Sequence, residues 1–263
     1  MATVLKSIFE VLTDSPPISD PRMDLFLLRA PVQLITTIAL YLAIIYKIGP
    51  NFMKDRKPFN LRNILIAYNI AQIIFNLVVF VIIAAYVQGK SVFCAQCDPE
   101  GSPKSSLTVV GHYSYLLLKY FDLVETMFYV LRKKERQISF LHVYHHIGIL
   151  VAAWVSGKYF PGGQAGFVAL YNTLIHSVMY CYYLFSVLNY SKTLWWKKYV
   201  TLIQIVQHCV IFLSVFPAVV NVNCSYPKGW MGLFALNLTV IIYLFVKFYK
   251  KTYLTDHKKQ HSK

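Results

Sequence analysis

Charged residues are scarce in this sequence, and acidic residues are the scarcest of them. Only 14% of the 263 residues are charged, with 11 Asp and Glu against 26 Lys and Arg, whereas about a quarter is usual for a soluble domain. The sequence also lacks internal repeats, low-complexity tracts and any linker long enough to separate domains. These absences argue against an ordinary soluble protein and leave residues 1–263 as a single domain.

Hydrophobic residues take the place of the missing charges and fall in long runs. They make up 57% of the sequence, and the mean hydropathy is +0.49. Runs close to the ~20 residues that cross a bilayer predict an all-α polytopic membrane protein with seven transmembrane helices. We place the spans at residues 32–48, 64–87, 113–131, 138–155, 167–188, 199–220 and 230–249. The start of the chain has no basic head before an apolar run, so no cleavable signal peptide is expected.

The basic residues lie unevenly about the predicted spans and indicate the orientation in the membrane. Eighteen of the 26 fall on one side and seven on the other, and Lys119 falls inside a span. Because basic loops stay in the cytosol, we expect residues 1–28 to be luminal and the tail 252–263 to be cytosolic. The charge fits contact with anionic lipid or attraction of a phosphorylated substrate. Nucleic acid is not an expected partner, because the charge is dispersed among short loops.

Three of the five cysteines fall on the predicted luminal side, in a compartment that permits disulfides. We predict a bridge between Cys97 and Cys224, which would tie the second luminal segment to the last luminal loop. A local bridge between Cys94 and Cys97 is one alternative, and a bridge from Cys94 rather than Cys97 to Cys224 also stays open. Each pairing leaves one cysteine over.

Three histidines, His142, His145 and His146, lie together in an apolar stretch. On a helix they occupy positions i, i+3 and i+4, so the three imidazoles share one face. Ionisable side chains at membrane depth are candidates for function. Imidazole can serve as a metal ligand, a general base or a nucleophile, so the role of this cluster decides the class of the protein.

Further polar residues recur at helical spacing in four other spans. We interpret the faces of the third and fifth spans as walls of a polar cavity open to the cytosol, with a buried ion pair or simple packing as the alternatives. The amides of the second span are interpreted as links between helices. The set comprises Lys119, Asp122, Glu125 and Thr126 in the third span, Asn172, His176, Tyr180 and Tyr183 in the fifth, Thr201, Gln204, Gln207 and His208 in the sixth, and Asn69, Gln72 and Asn76 in the second.

A di-iron membrane desaturase or hydroxylase also carries a His-x-x-His-His pattern and is an alternative interpretation. Two iron ions require several histidine boxes, but the sequence has eight histidines in all and no second box of this kind. Paired imidazoles without a metal suit acyl transfer, because one neutral imidazole can attack a thioester while its neighbour moves the proton. A seven-span receptor or transporter without enzymatic activity is the remaining alternative.

Eight motifs occur in an order that resembles one enzyme family. Five are Lys119-Tyr-Phe-Asp122-Leu-Val-Glu125-Thr126, Leu131-Arg-Lys-Lys134, Phe140-Leu-His142-Val-Tyr-His145-His146, Asn172-Thr-Leu-Ile-His176-Ser-Val-Met-Tyr180 and Thr201-Leu-Ile-Gln204-Ile-Val-Gln207. The others are Asp20-Pro21-Arg22, Asp55-Arg56-Lys57-Pro58-Phe59 and Tyr226-Pro227-Lys228-Gly229-Trp230. From about Asp20 to Lys251 the chain resembles the very-long-chain fatty acid elongases, the membrane 3-oxoacyl-CoA synthases of the endoplasmic reticulum.

The resemblance implies a fold and a reaction. Six of the seven helices would form a barrel around a closed substrate tunnel. The enzyme would condense a long acyl-CoA with malonyl-CoA and release CO2 and CoA, without a cofactor or a metal ion. The resemblance also implies residence in the endoplasmic reticulum membrane, contact with lipid, and other elongation-cycle enzymes or a second copy of this chain as partners.

Within that scheme His145 is the expected nucleophile, which forms an acyl-imidazole, and His176 is its catalytic partner across the tunnel. His142, His146 and Asn172 are expected to orient imidazoles or to stabilise the enolate and the oxyanion. The basic residues of the cytosolic side would receive the CoA phosphates. The expected substrate-binding residues are Lys119, Asp122, Glu125, Arg132, Lys133, Lys134, Tyr180, Tyr183, Gln204 and Gln207.

Two positions depart from the family pattern. The family usually has Glu and then Asp in the third-span motif, whereas here Asp122 precedes Glu125. The family often has an apolar residue where His208 stands. We expect His208 to line the tunnel or to pack, rather than to take part in catalysis.

Overall fold

The computed structural model describes residues 19–188, 195–221 and 223–255, and all regular secondary structure in these ranges is helical. Most of the predicted luminal segment, residues 1–18, lies outside the described residues. So does residue 222, and so do the end of the predicted cytosolic tail, residues 256–263, and part of the loop after the fifth span, residues 189–194.

Seven long helices follow one another through the described residues, and we number them in chain order. The bounds are Pro31–Met53 for α1, Arg62–Val87 for α2, Ser105–Leu131 for α3, Phe140–Tyr159 for α4, Gln164–Val187 for α5, Lys197–Val220 for α6 and Lys228–Tyr249 for α7. Helix α1 includes a π-helical turn at Ile44–Ile48, and α7 continues into a second one at Lys250–Thr255. Short 3-10 helices at Pro21–Met23 and Glu135–Gln137 precede α1 and α4.

Five of these helices, α1, α2, α4, α6 and α7, are long and apolar enough to cross a membrane. The protein is therefore a multi-pass membrane protein. All seven predicted segments are helical, but α3 and α5 carry so many buried polar side chains that composition alone does not mark them as spans. That these two helices also cross the membrane stays a prediction.

Helix α3 begins at Ser105, eight residues before the predicted span. Two polar residues in this added stretch are buried and have partners. The Thr108 hydroxyl donates to the Lys104 carbonyl at 3.0 Å, and His112 Nε2 lies 3.2 Å from Ser156 Oγ on α4. Because protein groups satisfy these side chains, the helix continues through residues that a hydropathy pattern does not assign to a span.

Contacts between the helices run in a cyclic order. Helix α3 packs on α2, α2 on α5, α5 on α6, α6 on α7 and α7 on α4, which packs on α3 again, while α1 packs on α3 and α4. Buried apolar residues such as Leu116, Leu150 and Val215 fill the space between neighbours in this order. The arrangement brings the histidine cluster of α4 and the polar faces of α3 and α5 close to one another.

The segment before α1 is held by Arg22. Its guanidinium lies 2.6 Å from Asp20 Oδ2 and donates to Ser105 Oγ at 3.0 Å and to the carbonyl of Asp98 at 2.9 Å. Burial raises the pKa of Asp20, but the hydrogen bonds from Arg22 outweigh burial and hold that pKa below its ordinary value. The pair thereby joins the start of the described chain to the α2–α3 connection.

The predicted partner of Cys224 is wrong. The structure joins Cys94 to Cys224, with Cα atoms 5.8 Å apart, and leaves Cys97 free and exposed. The reason lies in Gln164 of α5, whose side-chain carbonyl accepts a hydrogen bond from the backbone N–H of Ala95 at 3.1 Å. This bond fixes the chain next to Cys94, a long-range contact that cysteine spacing does not reveal. We call this end of the bundle the disulfide end.

Replacing either partner of the disulfide should destabilise the protein, since the bond joins residues 130 positions apart. We expect Cys94→Ser and Cys224→Ser each to lower the free energy of unfolding by about 2–4 kcal/mol, measured as a lower midpoint of thermal unfolding in detergent. Cys97→Ser is the matched control and should leave the midpoint unchanged. Non-reducing peptide mapping that linked Cys97 to Cys224 would contradict the observed pairing.

Candidate active site

The start of helix α4 places the histidine cluster. Ser139 precedes the helix, and its hydroxyl accepts a hydrogen bond from the backbone N–H of His142 at 3.2 Å. Serine is favoured at this capping position because it satisfies a backbone donor that has no partner inside the helix. His145 and His146 follow on the next turn, so the local sequence fixes how far all three imidazoles stand from the helix end.

The three imidazoles form one group, as predicted, but they have different neighbours. The His146 ring centroid lies 4.3 Å from that of His142 and 5.6 Å from that of His145. His142 Nε2 lies 2.8 Å from Thr126 Oγ1 on α3, whereas the His145 ring lies 5.8 Å from the ring of His208 on α6. His142 therefore takes part in the contact between α3 and α4, while His145 turns toward α6.

His145 lines a cavity between α4, α5, α6 and α7. The other polar residues around this space are Asn172, Gln207, His208 and Asn237. His145 is only partly buried, in contrast to His146, which is 6% exposed. Of the three clustered histidines, His145 is thus the one that a molecule in this cavity meets.

A second, mainly apolar cavity adjoins the first. The two share Ile149, Val168 and Phe234 as lining residues, and the second reaches along α4 as far as Ser156, toward the disulfide end. Ser156 lies 11 residues beyond His145, which is about 16 Å at the rise of an α-helix. An apolar space beside a cluster of imidazoles suits the hydrocarbon part of a ligand.

A buried ion pair on α3 organises the polar groups near the His145 cavity. Lys119 Nζ lies 2.7 Å from Asp122 Oδ2, and neither side chain is more than 1% exposed. Lys119 Nζ and Tyr115 OH both donate to Asn172 Oδ1 on α5, at 2.8 and 3.2 Å. Because the Lys119 ammonium can only donate, it can pair only with the carbonyl oxygen, and this bond fixes which way the amide points. The Nδ2 group of Asn172 is left for the cavity that this residue lines.

The carboxylate of Asp122 joins three helices. Its Oδ1 accepts hydrogen bonds from Gln72 Nε2 on α2 at 3.0 Å and from Tyr180 OH on α5 at 3.2 Å. Gln72 also donates to Tyr68 OH at 2.8 Å, and His176 Nδ1 lies 3.7 Å from Asp122 Oδ2. Four groups thus surround one carboxylate, as a buried charge requires.

The predicted pairing of His145 with His176 stays a prediction. The ring of His176 contacts Asp122 and Tyr180, with ring centroids 5.9 Å apart for the aromatic contact. Among the lining residues of its cavity, the other imidazole is that of His208, whose ring centroid lies 5.8 Å from that of His145. The polar face of α5 is present as predicted, but Asn172 rather than His176 is the member that lines this cavity.

The remaining predicted residues of α3, α5 and α6 lie toward the end of the bundle that the charge distribution predicts to be cytosolic. Glu125 is buried and accepts a hydrogen bond from Tyr129 OH. Tyr183 packs against Tyr180, with ring centroids 5.8 Å apart. On α6, Gln204 contacts the sulfur of Met179 through its amide at 3.2 Å. None of these contacts brings a predicted residue to the wall of the His145 cavity, neither Glu125, Tyr180 and Tyr183 nor Gln204.

The basic residues predicted to bind CoA follow the end of α3. Lys133 and Lys134 are exposed, Arg132 is partly exposed, and Lys133 Nζ donates to the Lys54 carbonyl at 3.3 Å. They line neither cavity, but they stand at the end of the bundle where α4 and its histidines begin. Their role toward CoA stays a prediction.

Sequence reasoning missed the part that Tyr115 plays in this site and the particular partners of Gln72 and His208. Tyr115 stands four residues before Lys119, a helical spacing that places it on the same face and could have signalled its role. Gln72 does link helices, as interpreted, but it does so through the Asp122 carboxylate. The position of His208 opposite His145 depends on how α6 packs, which carries no local signal.

Comparison with known proteins defines the class of this protein. A very long chain fatty acid elongase of Aedes aegypti is 34% identical over 99% of this chain and 74% of its own length. Very long chain fatty acid elongase 7 of Drosophila melanogaster is 35% identical over 90% of this chain and 73% of its own length. Very long chain fatty acid elongase 4 of Mus musculus is 35% identical over 96% of this chain and 82% of its own length. The protein is therefore an enzyme of the fatty acid elongase class.

The family follows from a second comparison. Residues 26–261 match the sequence profile of the ELO family, described as GNS1/SUR4, so the chain belongs to that family. The match includes all seven long helices and both cavities.

The buried ion pair on α3 should show strong energetic coupling. Lys119→Met leaves the Asp122 carboxylate buried without its cation, and Asp122→Leu does the reverse, so each should lower the free energy of unfolding by about 3–5 kcal/mol. The double variant should cost less than the sum of the two, because it removes both charges. Thermal unfolding of the wild type and the three variants in detergent measures the coupling. Lys133→Met, at an exposed position, is the control, and additive effects of the two buried changes would contradict the coupling.

Proposed function

We propose that this enzyme condenses a long-chain acyl-CoA with malonyl-CoA to give a 3-oxoacyl-CoA, CO2 and CoA, the first step of fatty acid elongation. The observation that carries the proposal is the place of His145, on the wall of a polar cavity that adjoins an apolar one. The names of its relatives, which match along nearly the whole chain, support the same reaction. The proposal needs no cofactor beyond the two substrates.

His145 is the proposed nucleophile. A neutral imidazole nitrogen attacks the thioester carbonyl, the C–N bond forms, the C–S bond breaks, and CoA leaves as a thiolate that takes up a proton. The product is an acyl-imidazole on His145. His142, tied to Thr126, and His146, packed between the other two rings, would orient the nucleophile. Support for this role comes from the partial exposure of His145 to its cavity.

Two amide groups are suited to stabilise the oxyanion of this step. Lys119 and Tyr115 occupy the Asn172 carbonyl, so its Nδ2 can donate to a molecule in the cavity. Gln207 is 5% exposed, and its Nε2 has no hydrogen-bond partner in the described residues. Both residues line the His145 cavity. One donor already aimed at a developing oxyanion typically contributes about 3–4 kcal/mol to catalysis.

The second half of the reaction uses malonyl-CoA. Loss of CO2 leaves an enolate, whose carbon attacks the acyl carbon while the C–N bond to His145 breaks, and the released His145 nitrogen takes up a proton from water. His176, beside the Asp122 carboxylate, is the proposed catalytic partner, which donates a hydrogen bond to the enolate oxygen. Tyr180, Glu125 and the residues around them, which do not line the His145 cavity, would form the polar surroundings of His176.

The helix arrangement, the membrane orientation and the partners of the enzyme are proposed from the helix contacts and the charge distribution. The cyclic contact order of six helices supports a barrel around a substrate tunnel, with α3 and α5 also spanning the membrane. The excess of basic residues on one side supports a cytosolic C-terminus and a luminal N-terminus in the endoplasmic reticulum. Arg132, Lys133 and Lys134 would meet the CoA phosphates there. Proposed partners are membrane lipid, the other enzymes of the elongation cycle and a second copy of this chain.

Substitution of His145 tests the proposal. Microsomes that carry the wild type should incorporate radiolabelled malonyl-CoA when given a panel of acyl-CoAs, and His145→Ala should lower that rate by at least about 10³-fold. With acyl-CoA alone, the wild type should release CoA and gain the mass of one acyl group on His145. Phe140→Ala, a 69% exposed position on the same helix, is the matched control. A wild-type rate of condensation by His145→Ala would contradict the assignment of His145 as the nucleophile.

The same assay separates the two alternative functions. A di-iron desaturase or hydroxylase would lose activity with a chelator and recover it with iron. In the described residues, no group of three or more His, Cys, Asp or Glu is arranged to hold a metal ion. A receptor or transporter would consume no malonyl-CoA.

A further inference from the structure

His208 is a second imidazole on the wall of the His145 cavity. It lies on α6 and is 5% exposed, and its ring centroid is 5.8 Å from that of His145, with the ring planes at 78°. The two rings therefore meet edge to face. From the sequence we expected this residue to line the tunnel or to pack, because the family often has an apolar residue there. It does line the cavity, and its ring also contacts that of His145.

The backbone of α6 fixes the hydrogen-bonding state of the His208 ring. Its Nδ1 lies 2.6 Å from the carbonyl oxygen of Gln204, one helical turn earlier. A carbonyl oxygen can only accept a hydrogen bond, so Nδ1 carries the hydrogen. In the neutral ring the lone pair then resides on Nε2, which makes Nε2 the atom that can accept a proton.

The ring of His208 is also held in place by α7. Phe245 packs against it with ring centroids 5.0 Å apart, and Phe245 contacts His145 as well, at 6.2 Å. With Nδ1 bonded back to the α6 backbone, the edge that carries Nε2 is the one directed away from that backbone. A ring fixed in this way needs little reorganisation before it acts.

The other polar groups that line this cavity cannot accept a proton at neutral pH. Asn172, Gln207 and Asn237 present amides, which donate or accept hydrogen bonds without changing their protonation. Asn237 is moreover bonded to Tyr144 OH at 2.9 Å. Among the residues that line the cavity with His145, His208 is therefore the general base that the site offers.

We propose that His208 is a catalytic residue of this enzyme, the base that takes a proton from His145 during acylation; the inference rests on the proposed function. When one nitrogen of His145 bonds to the acyl carbon, the other nitrogen keeps its hydrogen and the ring is an acyl-imidazolium. Transfer of that proton to Nε2 of His208 leaves a neutral acyl-imidazole. The proton then passes to the CoA thiolate released when the C–S bond breaks, so that His208 returns to its neutral form.

Two substitutions test this role. His208→Phe keeps a flat ring against Phe245 but removes the accepting nitrogen. His208→Gln keeps a side chain of similar reach that can donate to the Gln204 carbonyl, but its amide cannot take the proton. Each should slow CoA release from acyl-CoA alone by about 10²-fold or more, as is typical when a general base is lost. The KM for acyl-CoA should change little, because the lost group acts on the chemical step.

Val210→Phe is the matched control, since it places the same ring on an exposed position of α6, and it should release CoA at the wild-type rate. The midpoint of thermal unfolding shows that each variant is folded. If the midpoint of thermal unfolding of His208→Phe lies below that of the wild type, the rate of CoA release by His208→Gln is the one that tests the proposal. A wild-type rate of CoA release in either folded variant overturns the proposal. A variant that slows only the condensation with malonyl-CoA, and not CoA release, overturns it too.

The outcome for His208 is separable from that for the proposed function. If the wild type consumes no malonyl-CoA with any acyl-CoA, the proposed function itself fails. If the wild type is active and His145→Ala is inactive, while the His208 variants are acylated at the wild-type rate, only the inference about His208 fails.

Discussion

Lys119 and Asp122 lie side by side on α3, with almost no exposed surface and 2.7 Å between their charged atoms. Burying two charges is unfavourable unless further hydrogen bonds complete their shells. Here those bonds come from Gln72 on α2 and from Asn172 and Tyr180 on α5. The need to satisfy one ion pair thus ties three neighbouring helices together, and it sets the orientation of an amide at the candidate active site.

The histidines of the candidate active site differ in what each one contacts. His142 binds Thr126 and belongs to the α3–α4 contact, and His176 lies beside Asp122. His145 and His208 share the cavity with Asn172. His145 and His208 therefore reach the cavity directly, whereas His142 and His176 contact side chains of α3.

The disulfide end shows how distant contacts act on the bundle. Cys94 bonds to Cys224, and Gln164 at the start of α5 holds the chain beside Cys94. Arg22 binds the α2–α3 connection through the Asp98 carbonyl. Three chain segments far apart in sequence are thereby fastened over one end of the helices. The opposite end, where α4 and its histidines begin, carries the exposed lysines Lys133 and Lys134.

Local patterns in the sequence sufficed for the seven helices and for the clustering of His142, His145 and His146, because hydrophobic runs and i, i+3, i+4 spacing are properties of a single helix. The ordered motifs sufficed for the resemblance to the family. They did not suffice for the partner of Cys224, for the face that the Asn172 amide presents, or for the place of His208 opposite His145. Each of these depends on which side of one helix meets another. Helix packing is decided by shape and by buried hydrogen bonds between distant residues, so only the tertiary structure could determine them.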